Sequence, residues 1–152
     1  MINSHKEFIS EMKNFAEKMD LIKEFVYIKD IDNISNELSN SEPRVFIVGI
    51  ESVSFDDKEY NSTITYKFVL SDSVLYDEEA IINSETENIF IVSSLKDYLC
   101  YIQDVDVDVN DIDFTTESEG ESTYTSVSGK FDVLIKIFFF ANKKCNFLSF
   151  AN

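Results

Sequence analysis

Ile64-Thr65-Tyr66-Lys67-Phe68-Val69-Leu70-Ser71, followed by the acidic turn Asp72-Ser73-Val74-Leu75-Tyr76-Asp77-Glu78-Glu79 and then by Ser84-Glu85-Thr86-Glu87, is the stretch that decides the fold class. Ile64, Tyr66, Phe68 and Leu70 alternate with Thr65, Lys67 and Ser71, and only Val69 breaks the period of two. That is a strand with one buried face and one mostly wet face. Residues 84–87 have capping-box form, in which a hydroxyl accepts from the third helical amide while the glutamate reaches back. The spacing predicts a helix over about 84–102, with Ile91, Leu95, Tyr98, Leu99 and Ile102 as an apolar stripe that can lie across the sheet. Together these predict an α+β single domain, an antiparallel sheet packed with two main helices.

Working outward, Ser4-His5-Lys6-Glu7 is a second capping box, and Phe8, Met12, Phe15, Met19 and Ile22 follow at helical spacing. A first helix is expected over about 4–20. Phe25-Val26-Tyr27-Ile28 either prolongs it or forms a short extended piece, and residues 30–41, rich in Asp, Asn and Ser, read as a loop. Pro43 biases Glu42 towards an extended backbone just before a continuous apolar run, so residues 44–51 predict a strand buried on both faces and central in the sheet. The next strand is expected over about 62–71. Asp104-Val105-Asp106-Val107-Asp108-Val109 alternates strictly, which suits a half-buried strand or an extended arm. Residues 115–121 read as a polar turn or mobile tip. The segments 124–128 and 131–140 flank Gly129, predicting a terminal hairpin over about 122–140 with the glycine in its tight connection. Phe8, Met12, Phe15, Val45, Ile47, Tyr66, Phe68, Leu95, Leu99, Val133 and Ile135 are the expected core, in one apolar layer shared by helices and sheet.

A chain of 152 residues buries roughly 70% of its unfolded surface and needs no disulfide to fold. Cys100 and Cys145 match no CxxC spacing and read as inert, buried or half-buried thiols suited to a reducing compartment. No apolar run approaches the ~20 residues of a membrane helix, so a soluble, unexported protein with no membrane partner is expected. The formal net charge of -16 is unevenly placed. Residues 97–129 contain no Lys or Arg but carry Asp97, Asp104, Asp106, Asp108, Asp111, Asp113, Glu117, Glu119 and Glu121. This argues against ordinary phosphate-backbone binding, which needs clustered cations to displace counterions. The run is a solubilising surface, a surface that DNA passes without sticking, or a face that docks on a basic partner.

The sequence supplies no catalytic constellation. Asp106-x-Asp108-x-Asn110 with Glu117 imitates a calcium loop, but Asp111 stands where that loop needs glycine and Asp113 where it needs an apolar residue. His5 is the single histidine, which starves nucleophilic triads and His-based metal sites. Gly49, Gly120 and Gly129 cannot build a phosphate-cradling loop. The carboxylates crowd one stretch, and no tryptophan is present to form a sugar platform. No enzyme, cofactor or metal is therefore expected. Fourteen phenylalanines and seven tyrosines exceed what a two-layer core obviously needs. Ile89 and Phe90 lie off the main stripe of their helix and, with Phe147 and Phe150, form the candidate subunit interface.

The order of elements resembles the tail-terminator and head-to-tail joining proteins of tailed bacteriophages, in the version found in phages of Bacteroidetes hosts, including crAss-like phages. The likeness spans most of the chain. It rests on an N-terminal helix leading into Ile22-x-x-Phe25-x-Tyr27, Pro43 opening a strand, and Thr65-Tyr66-x-Phe68-x-Leu70-x-Asp72 followed by Asp77-Glu78. It continues through the Ser84 helix ending Leu95-x-Asp97-Tyr98-Leu99, and Ser128-Gly129-Lys130-Phe131 before a strand closed by Cys145. The resemblance implies a non-enzymatic virion component, assembled in the bacterial host cytoplasm. It would form a homo-oligomeric neck ring of six or twelve subunits that contacts portal or other neck proteins and tail proteins. Genomic DNA would pass through without tight binding. Asp104, Asp106, Asp108, Asp111, Asp113, Glu117, Glu119 and Glu121 are then candidates to face the channel or a partner. The alternative class is an acidic DNA mimic that inhibits a host nucleic-acid-binding protein.

Overall fold

The computed structural model describes residues 2–34, 38, 40–56 and 61–136. It contains helix α1 (His5–Lys18), strands β1 (Glu24–Tyr27), β2 (Val45–Asp56) and β3 (Asn61–Leu75), helix α2 (Glu78–Gln103), and strands β4 (Asn110–Glu119) and β5 (Ser122–Lys136). The strands form one sheet in the order β1-β2-β3-β5-β4. The fold is α+β, as expected. One pair departs from the expected antiparallel sheet, because β1 runs parallel to β2. The chain between them must therefore cross back over the sheet rather than close a hairpin.

Helix α1 begins where the first capping box places it, with the Ser4 hydroxyl accepting from the Glu7 amide at 3.0 Å. Helix α2 begins earlier than the second box predicts. Asp77 is its N-cap, accepting from the Ala80 amide at 3.2 Å, and Glu78 and Glu79 set negative charge in the first turn where the helix dipole favours it. Ser84 lies inside the helix and is buried, its hydroxyl donating to Asp72 Oδ2 at 2.6 Å. Tertiary partners have claimed the hydroxyl that the local pattern assigned to a cap.

The C-terminal half needs the larger correction. Residues 115–119 are strand rather than tip: β4 continues to Glu119, and the turn is made by Gly120, at φ 63, with Glu121. β5 then runs unbroken through Gly129. That glycine supplies space, because a Cβ there would stand 2.8 Å from Phe68 Cε1 and 3.1 Å from Ile112 Cδ1. Residues 104–109 form a connector, with the Val107 amide donating to Cys100 Sγ at 3.3 Å. β2 and β3 are both longer than predicted. Residues 137–140 of the expected hairpin, and Cys145, lie outside the described residues, as does much of the loop expected over 30–41.

All the residues expected in the core are buried, but in two layers. Phe8, Met12 and Phe15 of α1 and Ile91, Leu95 and Leu99 of α2 pack on Phe46, Val48, Tyr66, Phe68, Leu70, Phe131, Val133 and Ile135. Val45 and Ile47 point the other way, joining Ile28, Ile31 and Val69 in a smaller cluster on the opposite face. The chain after β1 crosses there. Gly49 permits the crossing, since a Cβ would stand 2.9 Å from the Ile28 carbonyl oxygen and the Ile31 Cβ. β2 is thus buried on both faces along 45–48, as predicted, although β3 holds the middle of the sheet.

Candidate functional site

The acidic residues follow one margin of the sheet. Asp104 caps α2 in the left-handed region at φ 56, and Asp106 and Asp108 are exposed on the connector while Val107 between them is buried. Asp111, also at positive φ, sits in the irregular start of β4. Asp113 and Glu117 line a groove of about 320 Å³ on the sheet face opposite α1 and α2, and Glu121 is exposed at the turn. Glu119 ends β4. The eight residues are spread along an edge strand and its approaches, so they present a long band of negative potential rather than a compact chelating site. Among the described residues no group of His, Cys, Asp and Glu is arranged to hold a metal ion.

The groove has an apolar floor of Ile31, Ile34 and Val69 and a polar wall of Thr115, Tyr124, Ser126 and Ser128. Lys67 lies in it, 3.3 Å from Asp32 Oδ1. At the rim of the neighbouring arm, Lys130 is 2.6 Å from Glu51 Oε1 and 3.7 Å from Asp111 Oδ2, and the hydrogen bond to Glu51 raises its pKa. Lys67 and Lys130 therefore already have carboxylate partners, which disfavours their use as phosphate anchors.

Sequence reasoning missed a buried polar cluster around Arg44. Its guanidinium, 3% exposed, donates from Nε to Asn88 Oδ1 at 2.9 Å and from Nη2 to Asp72 Oδ2 at 2.9 Å and Glu87 Oε2 at 2.8 Å. Ser84 and Thr125 exchange a short hydroxyl contact, and Asn88 Nδ2 donates to the Thr125 carbonyl at 3.3 Å. The cluster bolts the start of β2, the end of β3, α2 and β5 together at one end of the molecule. A single Arg beside an apolar strand was its only signal. His5 is likewise engaged, with Nδ1 2.7 Å from Tyr66 Oη and Nε2 3.2 Å from Tyr27 Oη. Burial lowers its pKa, and burial also raises that of Tyr66, with Tyr27 adding to the effect.

Large apolar side chains remain on the outside in distinct places. Ile82, Ile89, Phe90 and Tyr101 form the solvent-facing side of α2, with Phe90 57% and Tyr101 80% exposed. Ile89 and Phe90 are thus exposed, while Phe147 and Phe150 lie outside the described residues. β1 stops opposite Val48 and β4 starts opposite Lys130, so the far ends of β2, β3 and β5 project as a three-stranded arm carrying exposed Val53 and Phe55. Ile112 and Phe114 are exposed on β4, on the helix side of the sheet. No described helix is long and apolar enough to cross a membrane. No family model matches the chain, and no curated protein matches it significantly.

Proposed function

We propose that this chain is a structural, non-enzymatic component of a tailed-phage particle, assembling as a ring at the neck that joins portal to tail and conducts DNA. The observation that carries the reading is the separation of its exposed apolar surfaces: the outer side of α2 and the arm bearing Val53 and Phe55 are different faces of one subunit. A closed ring is built from heterologous contacts between two unlike faces. Contiguous exposed apolar side chains of this size mark interaction surfaces. The acidic margin suits the same role, because carboxylates offer DNA no cationic site at which a phosphate can dwell.

The test is the mass of the full-length assembly together with imaging of intact particles. Six or twelve symmetry-related copies around the DNA path are expected, and Ile89→Asp with Phe90→Asp should abolish the assembly while leaving the fold intact. A single copy in the particle, without symmetry mates around the DNA, would overturn the reading. A tight, salt-sensitive one-to-one complex with a basic host protein would replace it with the DNA-mimic alternative.

A further inference from the structure

We propose that the outer edge of β4 is a strand-addition site for residues 137–152 of a second copy of this chain. Among the described residues β4 ends the sheet order, with one side paired with β5 at Asn110 and over residues 113–119 and the other presenting backbone groups outward. An edge of this length is a template for a further strand. Its neighbourhood selects the occupant by shape and charge. Ile112 and Phe114, two residues apart, are exposed on the helix side of the edge. Thr116 Oγ1 donates to Glu85 Oε2 at 3.0 Å, which sets α2 beside β4 and puts Ile89, one turn on from Glu85, on the same flank. β4 itself carries Asp111, Asp113, Glu117 and Glu119 and no Lys or Arg.

Residues 137–152 have the complementary character. Ile137-Phe138-Phe139-Phe140 is a run of strong strand formers, in which Phe138 and Phe140 share the two-residue spacing of Ile112 and Phe114. Lys143 and Lys144 follow, and the segment holds no Asp or Glu. Geometry assigns the donor to another copy. β4 begins at Asn110 opposite Lys130, and β5 continues from there to Lys136, away from β4, for roughly 20 Å at ~3.4 Å per residue. Phe138 to Phe140 lie within ~14 Å of Lys136 at full extension, so the aromatic run cannot reach the edge of its own β4. It can reach the β4 of a neighbour. The inference deepens the ring reading by naming one subunit contact, and stands without ring closure.

The experiment uses the full chain, with light scattering over a range of concentrations and hydrogen exchange of the β4 amides. K143E/K144E and D113K/E117K should each weaken self-association by about tenfold or more, and the chain carrying all four changes should recover most of it. Amides of residues 111–118 should exchange faster on dilution. Three results would overturn the inference: a monomer at every concentration, β4 exchange independent of concentration (the signature of residues 137–152 folding back on their own subunit), or assembly insensitive to both reversals. If a ring persists through both reversals, strand addition fails and the ring reading survives. If the reversals control a dimer that never closes, strand addition holds and the ring reading fails.

Discussion

Replacing Arg44 by methionine tests whether the buried polar cluster holds the two halves of the fold together. The side chain is 3% exposed and its charge is met by Asp72 and Glu87. Deleting one partner of a buried pair costs about 3–5 kcal/mol, because the other charge is left uncompensated. The Glu87 share is discounted to near zero, since that side chain is 43% exposed and water screens it. Asp72 is only 16% exposed, but it keeps the hydroxyl of Ser84, so the lower end of the range applies, about 3 kcal/mol. For a domain of this size that is a fall in Tm of about 6–12 °C. Denaturant unfolding of Arg44→Met should show the loss in its midpoint with an unchanged slope. Adding Asp72→Leu removes the orphaned charge and should recover about half of the deficit. A loss under about 1 kcal/mol, or a double variant no more stable than the single one, would refute the argument that Arg44 and Asp72 are coupled in the folded core.

Phe68→Ala should cost about 3–5 kcal/mol in the same assay, the ring being fully buried between β2, β5 and the helices, and an unchanged midpoint would remove Phe68 from the core. Gly129→Ala should cost about 1–3 kcal/mol because the new methyl meets the fully buried Phe68 ring at 2.8 Å, whereas a neutral result would show that the ring has room to move. For His5, burial depresses the folded pKa below the ordinary 6.5, so the unfolded chain takes up a proton first as pH falls. Its contribution is complete above 6.5 and is lost as pH falls through the folded pKa, so His5→Gln should flatten the stability–pH curve just below 6.5; parallel curves would count against this. Changing Asp106, Asp108 and Glu121, which are exposed and outside the proposed subunit contact, to Lys should alter stability by under about 0.5 kcal/mol each. If these residues face DNA, particles fully occupied by that variant should package or eject slowly, with relief at higher salt. Normal infectivity would leave the margin as a solubilising surface.

Short-range periodicity was legible in the residues alone. The period-two faces of residues 64–70 and the 3.6-residue stripes of both helices name the buried side chains, because burial of one face is a repeating requirement that each element states in its own residues. The same logic made Ile89 and Phe90 visible as outward apolar residues, and the charge of residues 97–129 as an acidic margin. Tertiary structure decided everything that depends on which elements meet. A hydroxyl at position 84 reads as a helix cap until Asp72 and Thr125 arrive beside it, and Asp77 then takes the cap. Gly129 reads as a turn until the Phe68 ring occupies the space its missing side chain leaves, and the turn falls to Gly120. Arg44 has no local partner, so its cluster exists only once β2, β3 and α2 converge. The groove under Asp113 and Glu117 and the outer edge of β4 likewise follow from strand order, and strand order is set by long-range packing that no window of a few residues contains.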